Sequence, residues 1–220
     1  MASDPIRTER VRPLNNRKTA ARPFVIYWMQ AAQRAEANHA LEYAVRAANE
    51  LRKPLVVLFT LTGAFPEANE RHYAFMLEGL KETRGALRRR GIPMVVRQGD
   101  PAGEAAALGR DAALVVVDDG YVRIERTWRR AAAAALACPL VEVATNVVVP
   151  VETTSPKEEY AAATLRPKIY RRLAEFLVPL KETPVRVAPI EPDVESLDIG
   201  DTEAVLARLG VDRSVERSPY

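Results

Sequence analysis

Five short apolar runs alternate with helical patterns along this chain, and that alternation limits the fold more than any other feature. The runs are Phe24–Met29, Leu55–Leu61, Pro93–Arg97, Ala113–Asp118 and Leu140–Val143. Phe24-Val-Ile-Tyr-Trp-Met29 is almost unbroken in β-branched and aromatic residues, the composition of a strand buried on both faces of a parallel sheet. Between the runs, Leu41, Ala44, Val45, Ala48 and Leu51 fall on one helical stripe, and Tyr73, Met76, Leu77, Leu80 and Leu87 on another. Strands and helices in this order predict an α/β fold: a doubly wound, five-stranded parallel sheet, Rossmann-like, with right-handed crossovers and flanking helices. The expected strand order is third, second, first, fourth, fifth, so the winding reverses between the first and fourth strands.

Local signals place the ends of the elements. Asn38, Asn69 and Asp100 stand at N-cap positions, and Pro101 at a first helical position. Arg88–Arg90 followed by Gly91 reads as a cationic last turn with its C′ glycine, not as a nucleic-acid patch. Glu42 and Arg46 are spaced as an intrahelical ion pair. The helix from Arg123 is expected to bury Ile124, Trp128, Ala131, Ala135 and Leu136. Ser155-Pro-Lys-Glu158 reads as a capping box opening a helix that breaks at Pro167 and resumes through Phe176.

The chain divides into an amino-terminal arm, 1–22, an α/β domain, 23–180, and an interdomain linker with a short helix, 181–220. The first nine residues of the arm read as disordered, while Arg10–Asn15 has the apolar content to pack back on the domain. Pro184, Pro189 and Pro192 punctuate the linker. The helix after it, Thr202–Leu209, carries only Val205, Leu206 and Leu209 as an apolar stripe. A helix of that length is marginal in water, so the tail is expected to fray or to self-associate.

Charge and composition exclude several classes of function. A net charge of +3 from 32 basic and 29 acidic side chains predicts DNA binding that is weak, salt-sensitive and indifferent to lesions. The single Cys138 forms no internal disulfide, which fits a reducing cytoplasm. Met1–Thr8 has no apolar segment of the signal-peptide kind and no apolar stretch is long enough to span a bilayer, so no membrane partner is expected. No glycine-rich phosphate loop or nucleophile elbow is present, and His39 and His72 lack metal-ligand spacing. Adjacent Asp118 and Asp119 suit capping or a ligand's polar edge better than acid/base catalysis.

Several longer stretches are more specific. Arg10-Val-Arg-Pro-Leu-Asn15, Val25-Ile-Tyr-Trp-Met-Gln-Ala-Ala-Gln-Arg34 with Asn38-His-Ala-Leu41, Phe65–Tyr73 with Phe75–Leu80, and Lys157–Ile169 resemble the photolyase/cryptochrome family. Their wording is similar to that of the class II cyclobutane pyrimidine dimer DNA photolyases, over Arg10 to Ser214. Ala32 and Ala37 depart from it, standing where members often carry acidic residues. The resemblance implies that the α/β domain hosts an antenna chromophore, typically a deazaflavin or a folate, which passes blue-light excitation to FAD. It also implies that FAD and the DNA lesion bind a helical domain beyond the linker. With Tyr220 as the last residue, that domain is expected to be missing or separate, and this chain alone to lack repair activity. At the reversal point the pocket is expected to be lined by Met29, Gln30, Asn38, Asp118, Asp119, Gly120 and Tyr121, with no catalytic or metal-binding residue among them. The alternatives are a nucleotide-binding or signalling module on the same sheet, and a non-functional truncated photolyase.

Overall fold

The computed structural model describes all residues except 1–3, 5, 191–192 and 218–220. Its strands are β1 (Val11–Pro13), β2 (Phe24–Met29), β3 (Leu55–Leu61), β4 (Met94–Gln98), β5 (Ala112–Asp118) and β6 (Leu140–Val143). They form one sheet in the order β1-β6-β5-β2-β3-β4. The five strands read from the sequence are parallel and stand in the expected order. The sixth, β1, is an addition: Arg10–Asn15 does fold back, and Val11 lies antiparallel opposite Val143. Pro13 is tolerated because β1 is an edge strand, where a missing N–H leaves no gap in a ladder. Of the nine residues read as disordered, Thr8 and Glu9 form a 3-10 turn with Arg10, and residues 1–3 and 5 lie outside the described residues.

The helices are α1 (His39–Leu51), α2 (Glu70–Arg89), α3 (Pro101–Gly109), α4 (Arg123–Ala135), α5 (Val151–Thr154), α6 (Ala162–Phe176) and α7 (Thr202–Leu209). Among the described residues no helix is long and apolar enough to cross a membrane. β2 explains why its sequence shows no polar alternation. Val25, Tyr27 and Met29 pack with Leu41, Val45, Leu77 and Leu80 of α1 and α2. Phe24, Ile26 and Trp28 pack on the other face with Ala105, Leu108, Ala132 and Leu136 of α3 and α4. Every position of the strand is therefore core.

Caps fall where the side chains demand them. Asn38 Oδ1 accepts from Leu41 N at 2.9 Å, and Asp100 Oδ2 from Gly103 N at 2.7 Å. Gly91 takes a φ of 72° just beyond α2, as a C′ residue should. Other local readings give way to tertiary contacts. Glu42 is buried and pairs with Arg90 Nη1 at 2.8 Å instead of Arg46, which pairs with Asp4. Ser155 starts no helix; it ends α5, and α6 begins at Ala162 and runs unbroken through Pro167. On α4 the buried residues are Arg129 and Ala132, while Ala131 and Ala135 face solvent.

The tail differs most from expectation. Val205 and Leu206 are buried in the α1/α2 face of the core, together with Ile199. The described residues of the segment leading to α7 form no helix or strand, as expected of a linker, yet several of them are fastened to the domain. Thr183 N donates to Glu42 Oε2 at 2.5 Å, Arg186 N to Asn49 Oδ1 at 2.9 Å, and Leu197 N to Val96 O at 2.8 Å. The last of these caps β4, the free edge of the sheet. Beyond α7, Arg217 reaches Glu70 at the start of α2 at 2.7 Å. Leu206→Ala is expected to lower the stability of the whole domain by about 2–3 kcal/mol, the cost of a cavity in a packed core. Urea denaturation followed by circular dichroism measures it; an unchanged midpoint, with rapid amide exchange at Val205–Leu209, would restore the frayed tail.

Candidate functional site

The turn leaving β2 is held by one carboxylate. Asp118, the last residue of β5, is fully buried. It accepts from the backbone amides of Gln30, Ala31 and Ala32 at 2.8, 2.7 and 2.9 Å, and from Tyr27 Oη at 3.0 Å. Asn38 completes the turn from below. Its amide nitrogen donates to Tyr27 Oη, Ala32 O and Arg34 O at 3.1, 3.1 and 2.9 Å. Arg34 in turn donates to Ala37 O and to Asn146 Oδ1. Asp118 and Asn38 are thus committed to protein atoms. The crevice between β2 and β5 is closed by them.

An open cavity lies one strand further along, over the carboxyl ends of β2 and β3. It has a volume of about 470 Å³ and includes Met29, Gln30, Phe65, Tyr73, Glu125 and Trp128 in its wall. Its size falls within the range of small-molecule sites, and its wall is mainly apolar and aromatic, as such sites are. The β3–α2 loop forms one side and is pinned by Tyr73, whose Oη donates to Thr62 O at 2.8 Å. Phe65 on that loop meets Trp128 of α4 edge to face, with ring centroids 6.0 Å apart. At the floor, Gln30 is 7% exposed, and neither its Nε2 nor its Oε1 has a hydrogen-bond partner. Leaving buried amide atoms unpaired costs about 1–3 kcal/mol, so the pair marks a place where a ligand would complete the protein.

The seven residues named from the sequence therefore part company. Met29 and Gln30 line this cavity; Asn38 and Asp118 are scaffold beneath it. Gly120 lies against the carboxyl end of Glu125, and a Cβ there would lie 1.9 Å from Glu125 Oε2, so a larger residue would make that side chain move. Glu125 itself lines the cavity, and burial, with Asp118 nearby, raises its carboxyl pKa. Asp119 and Tyr121 point away, into a second cavity between α4 and β1. The residues that sequence reasoning missed are Phe65, Trp128, Glu125 and the loop 62–69. Trp128 was readable only as a core residue, because its role depends on a loop from another crossover. His72 lines this cavity too, with its Nδ1 accepting from Asn69 N at 3.2 Å, while burial with nearby Arg10 pushes His39 down to about 4. Among the described residues no cluster has the makings of a metal site.

Comparison with known proteins agrees with this architecture. A family model described as DNA photolyase matches residues 25–187. The deoxyribodipyrimidine photo-lyase of Methanothermobacter thermautotrophicus is 48% identical over 196 residues, covering 88% of this chain and 44% of that protein. That of Potorous tridactylus is 34% identical over 195 residues, covering 87% of this chain and 36% of its own length. This chain thus spans less than half the length of these relatives. Among solved structures, the archaeal photolyase from Sulfolobus tokodaii with two FAD molecules has a TM-score of 0.64. At 14% identity over 88% of this chain and 43% of that one, it is a likeness of fold.

The second cavity carries a titrating group. Burial and the neighbouring Glu142 raise Asp119 from 3.8 to about 6, against the opposing pull of Arg129. A carboxyl raised on folding favours the folded state most below its unfolded pKa, and that contribution is lost as pH rises through the folded value. Asp119→Asn, neutral at every pH, should therefore gain stability relative to the unsubstituted chain between about pH 4 and 7, by on the order of 2 kcal/mol. Urea midpoints across that range measure the difference; a difference that does not change with pH would sink the assignment.

Proposed function

The chain belongs to the DNA photolyase family as its amino-terminal α/β domain, and on that premise we propose that it is a class II antenna domain holding a planar chromophore over β2 and β3. The single observation that carries this reading is the buried, unpaired carboxamide of Gln30 at the floor of an aromatic cavity. A deazaflavin or a folate presents an edge of alternating carbonyl and N–H groups, the complement of a carboxamide that donates and accepts side by side. Its rings would lie against Trp128 and Phe65, which offer stacking surface at little entropic cost. Excitation would pass from there to FAD in the helical portion that the family resemblance implies. The domain's own share is binding, orientation and exclusion of water; the pigment supplies the photochemistry.

A nucleotide-binding module on the same sheet is the poorer reading. Such a module offers the amides of its first turn to a pyrophosphate, and here Asp118 occupies them.

Two experiments test the proposal. The purified chain should take up a deazaflavin or a folate stoichiometrically, with a shift in visible absorption and fluorescence. Gln30→Leu should weaken uptake about tenfold, as loss of one or two buried hydrogen bonds predicts. No uptake of either pigment by a chain of native helicity would refute the reading. Separately, thymine-dimer DNA illuminated with the chain and added FAD should stay unrepaired; light-dependent repair would place a catalytic flavin site within these 220 residues.

A further inference from the structure

The flank of α4 that faces away from the chromophore cavity looks into the second cavity, of about 410 Å³, bounded by β1 and the start of α5. Its wall is rich in guanidinium groups. Arg126 and, one turn on, Arg129 and Arg130 come from α4, and Arg12 from β1. Part of this charge is answered within the protein. Arg12 pairs with Glu142 and Glu152, and Arg129 with Asp119 at 3.1 Å and Glu142 at 2.7 Å. Arg126 and Arg130 are exposed and have no ion pair among the described residues.

Exposed arginines alone are solvated surface. One deeper atom points to a ligand. Arg129 is only 3% exposed, and its Nη1 has no hydrogen-bond partner; the phenol of Tyr121 lies on the same wall beside Asp119. Burial, and Asp119 beside it, raise the Tyr121 phenol well above its ordinary pKa, so it keeps its proton and can donate. Three donor groups thus line one cavity without a protein acceptor, the guanidinium forks of Arg126 and Arg130 and the buried Nη1 of Arg129, and the Tyr121 phenol can turn from Asp119 to join them. A carboxylate offers them two oxygens, whereas a phosphate monoester offers three and two negative charges, which suits arginine forks. Leu14, Pro13 and Ala133 supply an apolar side to the cavity, enough for a small organic group attached to the phosphate.

We infer that the cavity between α4 and β1 binds a small phosphate monoester, of about nucleotide size, independently of the chromophore site. The cavity's volume of about 410 Å³ suits a small molecule, and no lining residue is shared with the chromophore cavity.

Calorimetric titration of the whole chain at low ionic strength, with inorganic phosphate and with adenosine monophosphate as probes, tests this. Saturable one-site binding is expected for both, tighter for the monophosphate, with a dissociation constant of about 1 mM or below. The double variant Arg126→Ala/Arg130→Ala should weaken it at least about tenfold, and Tyr121→Phe, which removes the phenol oxygen, a few-fold. Neither change should alter uptake of a deazaflavin, so failure here is distinguishable from failure of the chromophore reading. Absence of saturation with either probe would overturn the inference, as would binding unchanged in both variants. Displacement of the probe by a short oligothymidylate at lower phosphate concentration would do so too, by assigning the arginines to a polynucleotide backbone.

Discussion

Asp118 is the interaction on which the rest of this domain depends. A carboxylate removed from water is costly unless its oxygens are met by donors, and here four donors meet them. Three of the donors are consecutive amides of the turn after β2, and the fourth is a tyrosine of β2 itself. One side chain from β5 therefore fixes the exit of the neighbouring strand and the place where α1 begins. This is how the chain orders the nine-residue connection from β2 to α1 without a glycine. It is also why the open cavity sits over β2 and β3 and not at the reversal of winding: the protein has filled that crevice with its own anion.

The division of labour on α4 follows from the same placement. With the crevice closed, the helix after β5 is free to present different chemistry on its two flanks. Trp128 and Glu125 face an aromatic cavity, while Arg126, Arg129 and Arg130 face an ionic one. Gly120, in the loop between β5 and α4, lets Glu125 fold close to the backbone. A larger residue would displace that carboxylate from its place in the aromatic cavity's wall.

The sheet was readable from sequence because burial on both faces leaves an unbroken apolar run, and because caps such as Asn38 and Asp100 act over three residues. What could not be read were the contacts whose partners are far apart in the chain. Glu42 has a correctly spaced Arg46, but Arg90 outcompetes it from the end of α2, in a buried setting where an ion pair is less screened. Ser155-Pro-Lys-Glu158 has the letters of a capping box, yet its acceptor is used differently, with Ser155 Oγ donating to Glu159 Oε1 at 2.6 Å. The full wall of the cavity over β2 and β3 was not legible for a comparable reason. The aspartate expected to meet a ligand was already satisfied by backbone, and the aromatic wall came from a loop between β3 and α2 with no periodicity to announce it.

The fastened strap between α6 and α7 has a consequence of its own. An eight-residue helix would have little hold on a hydrophobic groove if it arrived by diffusion from a loose chain. Here Arg90 holds the Thr183 carbonyl, Asn49 holds Pro184 and Arg186, and β4 holds Leu197. Each attachment shortens the free tether that remains, until only a few residues separate the last anchor from Thr202. The effective concentration of α7 at its groove rises accordingly. A weak binder presented in this way behaves as a standing part of the core, its occupancy set by the ratio of that local concentration to its own dissociation constant.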